Sequence, residues 1–193
     1  MKQSIAKLLI LFISLFFFSF SANATETYTL DPQHTAIVWN INHLGFSTPS
    51  GKFMASGTLV LDEAKPQNSK VDVVIQMASL VTGIQELDKH LKGQLFFDVA
   101  QFPTATFVSD KVTVVNKKMA KVKGMLTLHG VSKPITLDVK FNKTGINPIN
   151  NKKTVGFSAT AQLKRSDFEI NTLLPEVGDE VKLNIQAEAY KNN

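Results

Sequence analysis

Apolar and polar residues alternate with a period of two along most of this chain. Ile37, Trp39 and Ile41 alternate with Val38, Asn40 and Asn42, the period of a strand wet on one face and buried on the other. The same pattern returns over Phe53 to Leu61, Val71 to Met77, Thr106 to Val115, Ala120 to Leu128, Ile135 to Phe141, Val155 to Leu163 and Val181 to Ala189. Tyr28 to Pro32 reads as a short lead-in, Gly130 to Pro134 as a hairpin connection, and Gly145 to Lys153 as a polar loop. About eight strands with hairpin-length links and one apolar face each predict an all-β, antiparallel architecture. A sandwich and a closed barrel both satisfy it.

The stretch Thr82 to Phe107 breaks the alternation. Ile84, Leu87 and Leu91 recur at helical spacing ahead of Gly93, which predicts a short amphipathic helix over Ile84 to Lys92. Phe96, Phe97, Phe102 and Phe107 follow it. A segment of this kind closes or lines one end of a barrel. A barrel of about eight strands holds its own side chains or one small ligand. Several positions in inward register are small, among them Ala55, Gly57, Ala120, Gly124, Gly156, Ala159, Ala161 and Ala187. Interiors do not tolerate large voids, so either the helix and its phenylalanines fill the lumen or a guest does.

The chain begins with a basic start at Lys2 and Lys7, an apolar run from Leu8 to Phe20, and Ala22-Asn23-Ala24. That is the order of a cleavable secretory signal peptide over residues 1–24, and the run is short for a membrane span. Residues 25–193 then form one domain, and a periplasmic location is expected. Cysteine is absent, which excludes disulfides and a thiol nucleophile and leaves stability to the core. Without Lys2 and Lys7 the formal charge falls from +5 to about +3. Lys117, Lys118, Lys121 and Lys123 form the densest basic group, and Arg165 is the one arginine, a pattern that argues against nucleic acid as a partner.

No Gly-x-Ser-x-Gly elbow or phosphate-cradling glycine loop occurs. His34, His43, His90 and His129 lie in separate segments, so no metal site is expected from their spacing. The expected site is therefore a binding site. Trp39, Phe53, Phe107, Phe157 and Ala159 lie on apolar strand faces, and Phe46, Leu91, Phe96, Phe97, Phe102 and Phe168 are placed around a pocket opening. Asp88, His90 and Lys92 on the helix, together with Arg165, are the candidates for a polar head group.

Five motifs in order resemble the YceI family. They are His43-Leu44-Gly45-Phe46-Ser47 with Gly51-Lys52-Phe53, Thr82-Gly83 through His90-Leu91, Phe96-Phe97-Asp98-Val99 with Phe102-Pro103, Leu126 to Val131 with Pro134, and Arg165-Ser166-Asp167-Phe168 with Val177 to Val181. The resemblance implies an exported protein with an extended lipocalin-like barrel around a long isoprenoid or other amphiphilic chain; a polyisoprenoid, an isoprenoid quinone or a related lipid is the expected guest, a fatty-acid-like chain stays open, and no cofactor is expected. Some members are dimers, which leaves a homodimer open, as well as a transient contact with the membrane. Lys92 stands where the family's central motif carries arginine. Lysine offers a point charge in place of a two-pronged grip, which weakens the case for a diphosphate head group. An enzyme acting on such lipids and a barrel filled by its own side chains remain the rival readings.

Overall fold

The computed structural model describes residues 25–192. The leader expected over residues 1–24 lies outside them. Nine strands form one sheet: β1 (Glu26–Leu30), β2 (Ala36–His43), β3 (Ser50–Leu61), β4 (Lys70–Gln76), β5 (Thr104–Asn116), β6 (Met119–Leu128), β7 (Val131–Ile146), β8 (Lys153–Lys164) and β9 (Val177–Lys191). Every pairing is antiparallel, and β3 pairs with both β2 and β4. The ring β3-β2-β9-β8-β7-β6-β5-β4 therefore closes on itself, which removes the exposed edges of an open sheet. Of the two architectures that the alternation allows, the barrel, which the family resemblance implies, is the fold found, and the sandwich is not.

β1 is the strand missed by the periodicity, which read it as a lead-in. It pairs with β3 over Gly57 to Leu61 and with β9 over Ala189 to Lys191, just beyond where β2 pairs with the same two strands. β1 and β2 thus make one stave broken at Asp31–Thr35. Asp31 builds the break, accepting from the Gln33 amide at 2.9 Å and bonding the His34 ring at 2.8 Å.

The β6–β7 link is tighter than expected. His129 and Gly130 are its two turn residues, with φ of 51° and 77°, the positive values that the favoured two-residue hairpin turns require. The strand resumes at Val131 and includes Pro134. β8 pairs with β7 only from Asp138 onward, so Pro134 lies where one flank of β7 is free. β7 also runs on through Gly145 and Ile146, into the expected loop.

A bulge between Ser109 and Lys111 shifts the phase of β5. Before it Ala105 and Phe107 face inward; after it Val112 and Val114 do. One extra residue turns every later side chain to the other face. Helix α1 covers Gln85–Lys92. Ile84 precedes it and is 61% exposed, while Leu91 is buried, so the helix packs through its second half. The turns after β2, β4, β6 and β8, with α1 among them, form one end of the barrel. Those after β3, β5 and β7, with both described termini, form the other.

Candidate functional site

The interior contains two chambers placed end to end. The wider, of about 350 Å³, reaches from the middle of the barrel to the end opposite α1. The narrower, of about 150 Å³, lies under α1. Ile37, Ile75, Leu126 and Leu183 line both and form the waist between them. The wider chamber falls within the range of small-molecule sites.

The walls follow from the alternation. Leu59, Val71, Val73, Val122, Leu137, Val139 and Ile185 point inward, and Ala55, Ala120, Ala159 and Ala187 leave the room between them. Gly156 does not contribute: Val155 and Phe157 face in, so Gly156 faces out. Gly124 leaves no space either, because the Phe107 ring occupies it; a Cβ there would meet Phe107 Cζ at 2.5 Å. Thr35 is the polar residue of the deep wall, and its hydroxyl donates to the Glu188 carbonyl at 3.2 Å. The other polar lining gathers at the rim: Glu63, Ser69 and Lys70 on one side, Asn116, Lys117 and Lys118 on the other. The mouth is thus framed by the β3–β4 and β5–β6 turns. The sequence-based expectation put the opening beside the helix; the wide chamber opens at the far end.

The helix end is closely packed. Trp39, Phe53, Met77, Leu80, Leu91, Phe96 and Ile170 are buried in one cluster. Phe97 meets Phe53 edge-on with centroids 5.3 Å apart. Of the expected pocket residues, Trp39, Phe53, Leu91, Phe96 and Phe97 line the narrow chamber, and Phe107, Phe157 and Ala159 line the wide one. Three lie elsewhere. Phe46 is 90% exposed at the β2–β3 turn, Phe102 packs at a tilt against His129 with ring centroids 4.6 Å apart, and Phe168 is buried behind Phe107 and Leu126.

The structure does not bring the four head-group candidates together. Asp88 ties the helix to its own approach: one carboxylate oxygen accepts from the Thr82 amide at 2.7 Å and from its hydroxyl at 2.6 Å. The Thr82 hydroxyl leads in holding that carboxyl below the usual range. His90 is exposed, with its ring 5.0 Å from that of Phe96, and Lys92 is half-buried. Arg165 is buried and lines the narrow chamber, but its guanidinium donates to the carbonyls of Ile170, Thr172, Val177 and Gly178 at 2.8–2.9 Å. Burial lowers its pKa, and Asp179 acts the other way. Asp179 itself accepts from the Ser166 amide and hydroxyl at 2.9 and 2.8 Å. Together the two residues hold the β8–β9 loop in shape.

The other histidines serve turns. His34 pairs with Asp31, and the His129 ring bonds the Phe168 carbonyl at 3.2 Å. Among the described residues, the titratable side chains that line the chambers are Glu63, Lys70, Lys117 and Lys118 at the mouth and Arg165 beneath the helix. The residues that frame the mouth were not anticipated. The topological signal was available, since the turns after β3 and β5 must share an end in an up-and-down barrel.

Comparison with known proteins agrees with this geometry. The YceI-like domain model matches residues 28–189. Protein YceI of Salmonella agona is 41% identical over 183 residues, spanning 93% of this chain and 94% of that protein. The YCEI protein of Campylobacter jejuni superposes with a TM-score of 0.71 at 34% identity, over 79% of this chain and 90% of its own. A polyisoprenoid binding domain from Saccharophagus degradans superposes with a TM-score of 0.65 at 16% identity, over 86% and 98%; at that identity the likeness concerns the fold alone.

Proposed function

The chain belongs to the YceI-like family, and from that premise we propose that it is a periplasmic binding protein that carries a long apolar chain of the polyisoprenoid class. The observation behind this reading is the pair of apolar chambers that meet at one waist, the wider with a polar rim at the end opposite α1. Their shape suits a flexible chain with one polar terminus, the terminus resting at the rim by Lys70, Lys117 and Lys118. The Saccharophagus degradans domain, which shares the fold, is described as polyisoprenoid binding. The leader pattern of residues 1–24 supports export.

Burial supplies enough affinity without head-group contacts. Each methylene taken from water contributes about 0.8 kcal/mol, so a five-carbon isoprene unit contributes on the order of 3 kcal/mol. Association and ordering cost roughly 4–15 kcal/mol. A chain of several units therefore binds on its carbon alone, and the rim selects which end enters last. Solvent extraction of protein purified from its native host, followed by mass spectrometry, tests the proposal. The expected result is an isoprenoid chain in near-stoichiometric amount. An extract free of lipid, together with no uptake of added polyisoprenol, overturns it.

A further inference from the structure

The two ends of the barrel differ in charge as well as in access. At the mouth, Lys65, Lys70, Lys117, Lys118 and Lys152 form no ion pair among the described residues; Lys152 Nζ lies over the Tyr190 ring, 4.2 Å from its centroid, and the other four ammonium groups have no such partner. The carboxylates of Glu26, Glu63 and Asp62 nearby are already engaged. Glu26 holds Lys153 at 2.5 Å and Lys191 at 2.6 Å, and Glu63 holds Lys153 at 3.1 Å. Asp62 accepts from the Ala64 and Lys65 amides and from the Asn68 side chain. A surplus of positive charge is left around the opening.

The same end presents aliphatic side chains to water. Ile149 is 94% exposed and Ile146 is 62% exposed. The β7–β8 turn is a hydrogen-bonded platform: Asn147 accepts from the Ile149 amide through its side chain and from the Asn151 amide through its carbonyl. Its own amide donates to the Lys152 carbonyl. Ile149 is held outward at the tip of an ordered turn, with Lys152 three residues on. An aliphatic tip beside unpaired ammonium groups is the pattern of a surface that meets lipid head groups and the first methylenes below them.

The helix end also exposes apolar residues, Phe46 and Leu95 among them. In the connections of that end, however, Glu86, Asp88, Asp98, Asp167, Glu169 and Glu176 outnumber Lys89, Lys92 and Arg165. Those connections carry no surplus of positive charge.

We infer that the mouth end docks on an anionic lipid bilayer, with the unpaired lysines on the head groups and Ile149 inserted among them. The barrel then stands with its opening against the membrane, and a chain passes between bilayer and lumen without crossing water. Docking goes beyond the proposed cargo and does not depend on what the lumen holds.

Co-sedimentation tests it, using vesicles of phosphatidylcholine alone and of phosphatidylcholine with phosphatidylglycerol. The protein is expected to pellet with the anionic vesicles only and to leave them in molar salt, where the screening length is about 3 Å. Losing one lysine near such a surface weakens binding about fivefold, so the triple variant Lys117→Ser, Lys118→Ser, Lys152→Ser is expected to pellet at background. Ile149→Ser is expected to weaken binding and Phe46→Ser to leave it unchanged. As a second readout, Ile149→Trp is expected to shift its emission to the blue with anionic vesicles. Equal pelleting with both vesicle types, pelleting with neither, an unaffected triple variant, loss in Phe46→Ser instead of Ile149→Ser, or no emission shift overturns the inference.

Discussion

The indole of Trp39 lies against Gly51, its cross-strand partner in the β2–β3 pairing, so closely that a Cβ at position 51 would fall 2.6 Å from the indole Cε2. Trp39 can cover the end of the narrow chamber because its neighbour has no side chain. Both residues are buried, so the ring cannot retreat into solvent. Gly51→Ala is expected to cost about 2 kcal/mol, in the range for an extra group forced into packed space. Chemical denaturation checks this through the unfolding midpoint. A midpoint unchanged from the wild type would mean that the indole has another place to go.

Ala159 gives the opposite expectation at a superficially similar position. It lines the wide chamber from β8, opposite Ile185 of β9. A large side chain there enters empty space. Ala159→Trp is expected to keep the fold, with a melting temperature within a few degrees of the wild type, and to lower affinity for a polyisoprenol at least tenfold. Thermal melting and a binding titration on one sample separate the two effects. Substantial destabilisation with binding intact would mean that the chain lies elsewhere.

The contrast between Gly51 and Ala159 marks the limit of what the sequence shows. Period-two alternation was enough to place eight strands, because the register of a half-buried strand is written in its side chains. Ala55, Ala120, Ala159 and Ala187 were legible as room in the lumen, but Gly124 looked the same and is filled by Phe107. Whether a small residue makes a hollow depends on which ring the neighbouring strand points at it, and that is a tertiary fact. The bulge at Ser109–Lys111 hid the inward turn of Val112 and Val114 in the same way. As the irregular segment, α1 could line an opening or close an end, and the sequence does not decide between them; its packing with Phe96, Met77 and Leu80 makes it a plug.

Arg165 tests how far that plug depends on one side chain. Its guanidinium serves four carbonyls spread over Ile170 to Gly178. Lysine cannot reproduce the planar fork, and an apolar residue leaves the carbonyls without donors. Arg165→Met is expected to cost on the order of 3 kcal/mol, the upper scale for leaving a buried acceptor unsatisfied. Arg165→Lys should recover part of that. Denaturation curves on both variants check the order. A head-group role would show a different signature, with stability preserved and ligand affinity lost.

The clasp beside the mouth gives the pH dependence a defined sign. Hydrogen bonds from Lys153, Lys191 and Tyr28, in that order of effect, hold the Glu26 carboxyl down to about 2, against an ordinary value of 4.5. A carboxyl depressed by folding contributes its stability in full above its unfolded value. That contribution fades as pH falls from about 4.5 toward 2. Lys153 is raised, chiefly by Glu26, so its share persists through neutrality and is lost only in strong alkali. Both partners are partly exposed, which limits the clasp to about 1 kcal/mol. Glu26→Gln keeps an acceptor for the Tyr28 hydroxyl and removes the charge. The variant is expected to be about 1 kcal/mol less stable than the wild type at pH 7 and nearly equal to it at pH 2.5, as read from denaturant midpoints at the two values. A gap that stays constant between those pH values would assign the loss to packing around Tyr28 instead of to the ion pairs.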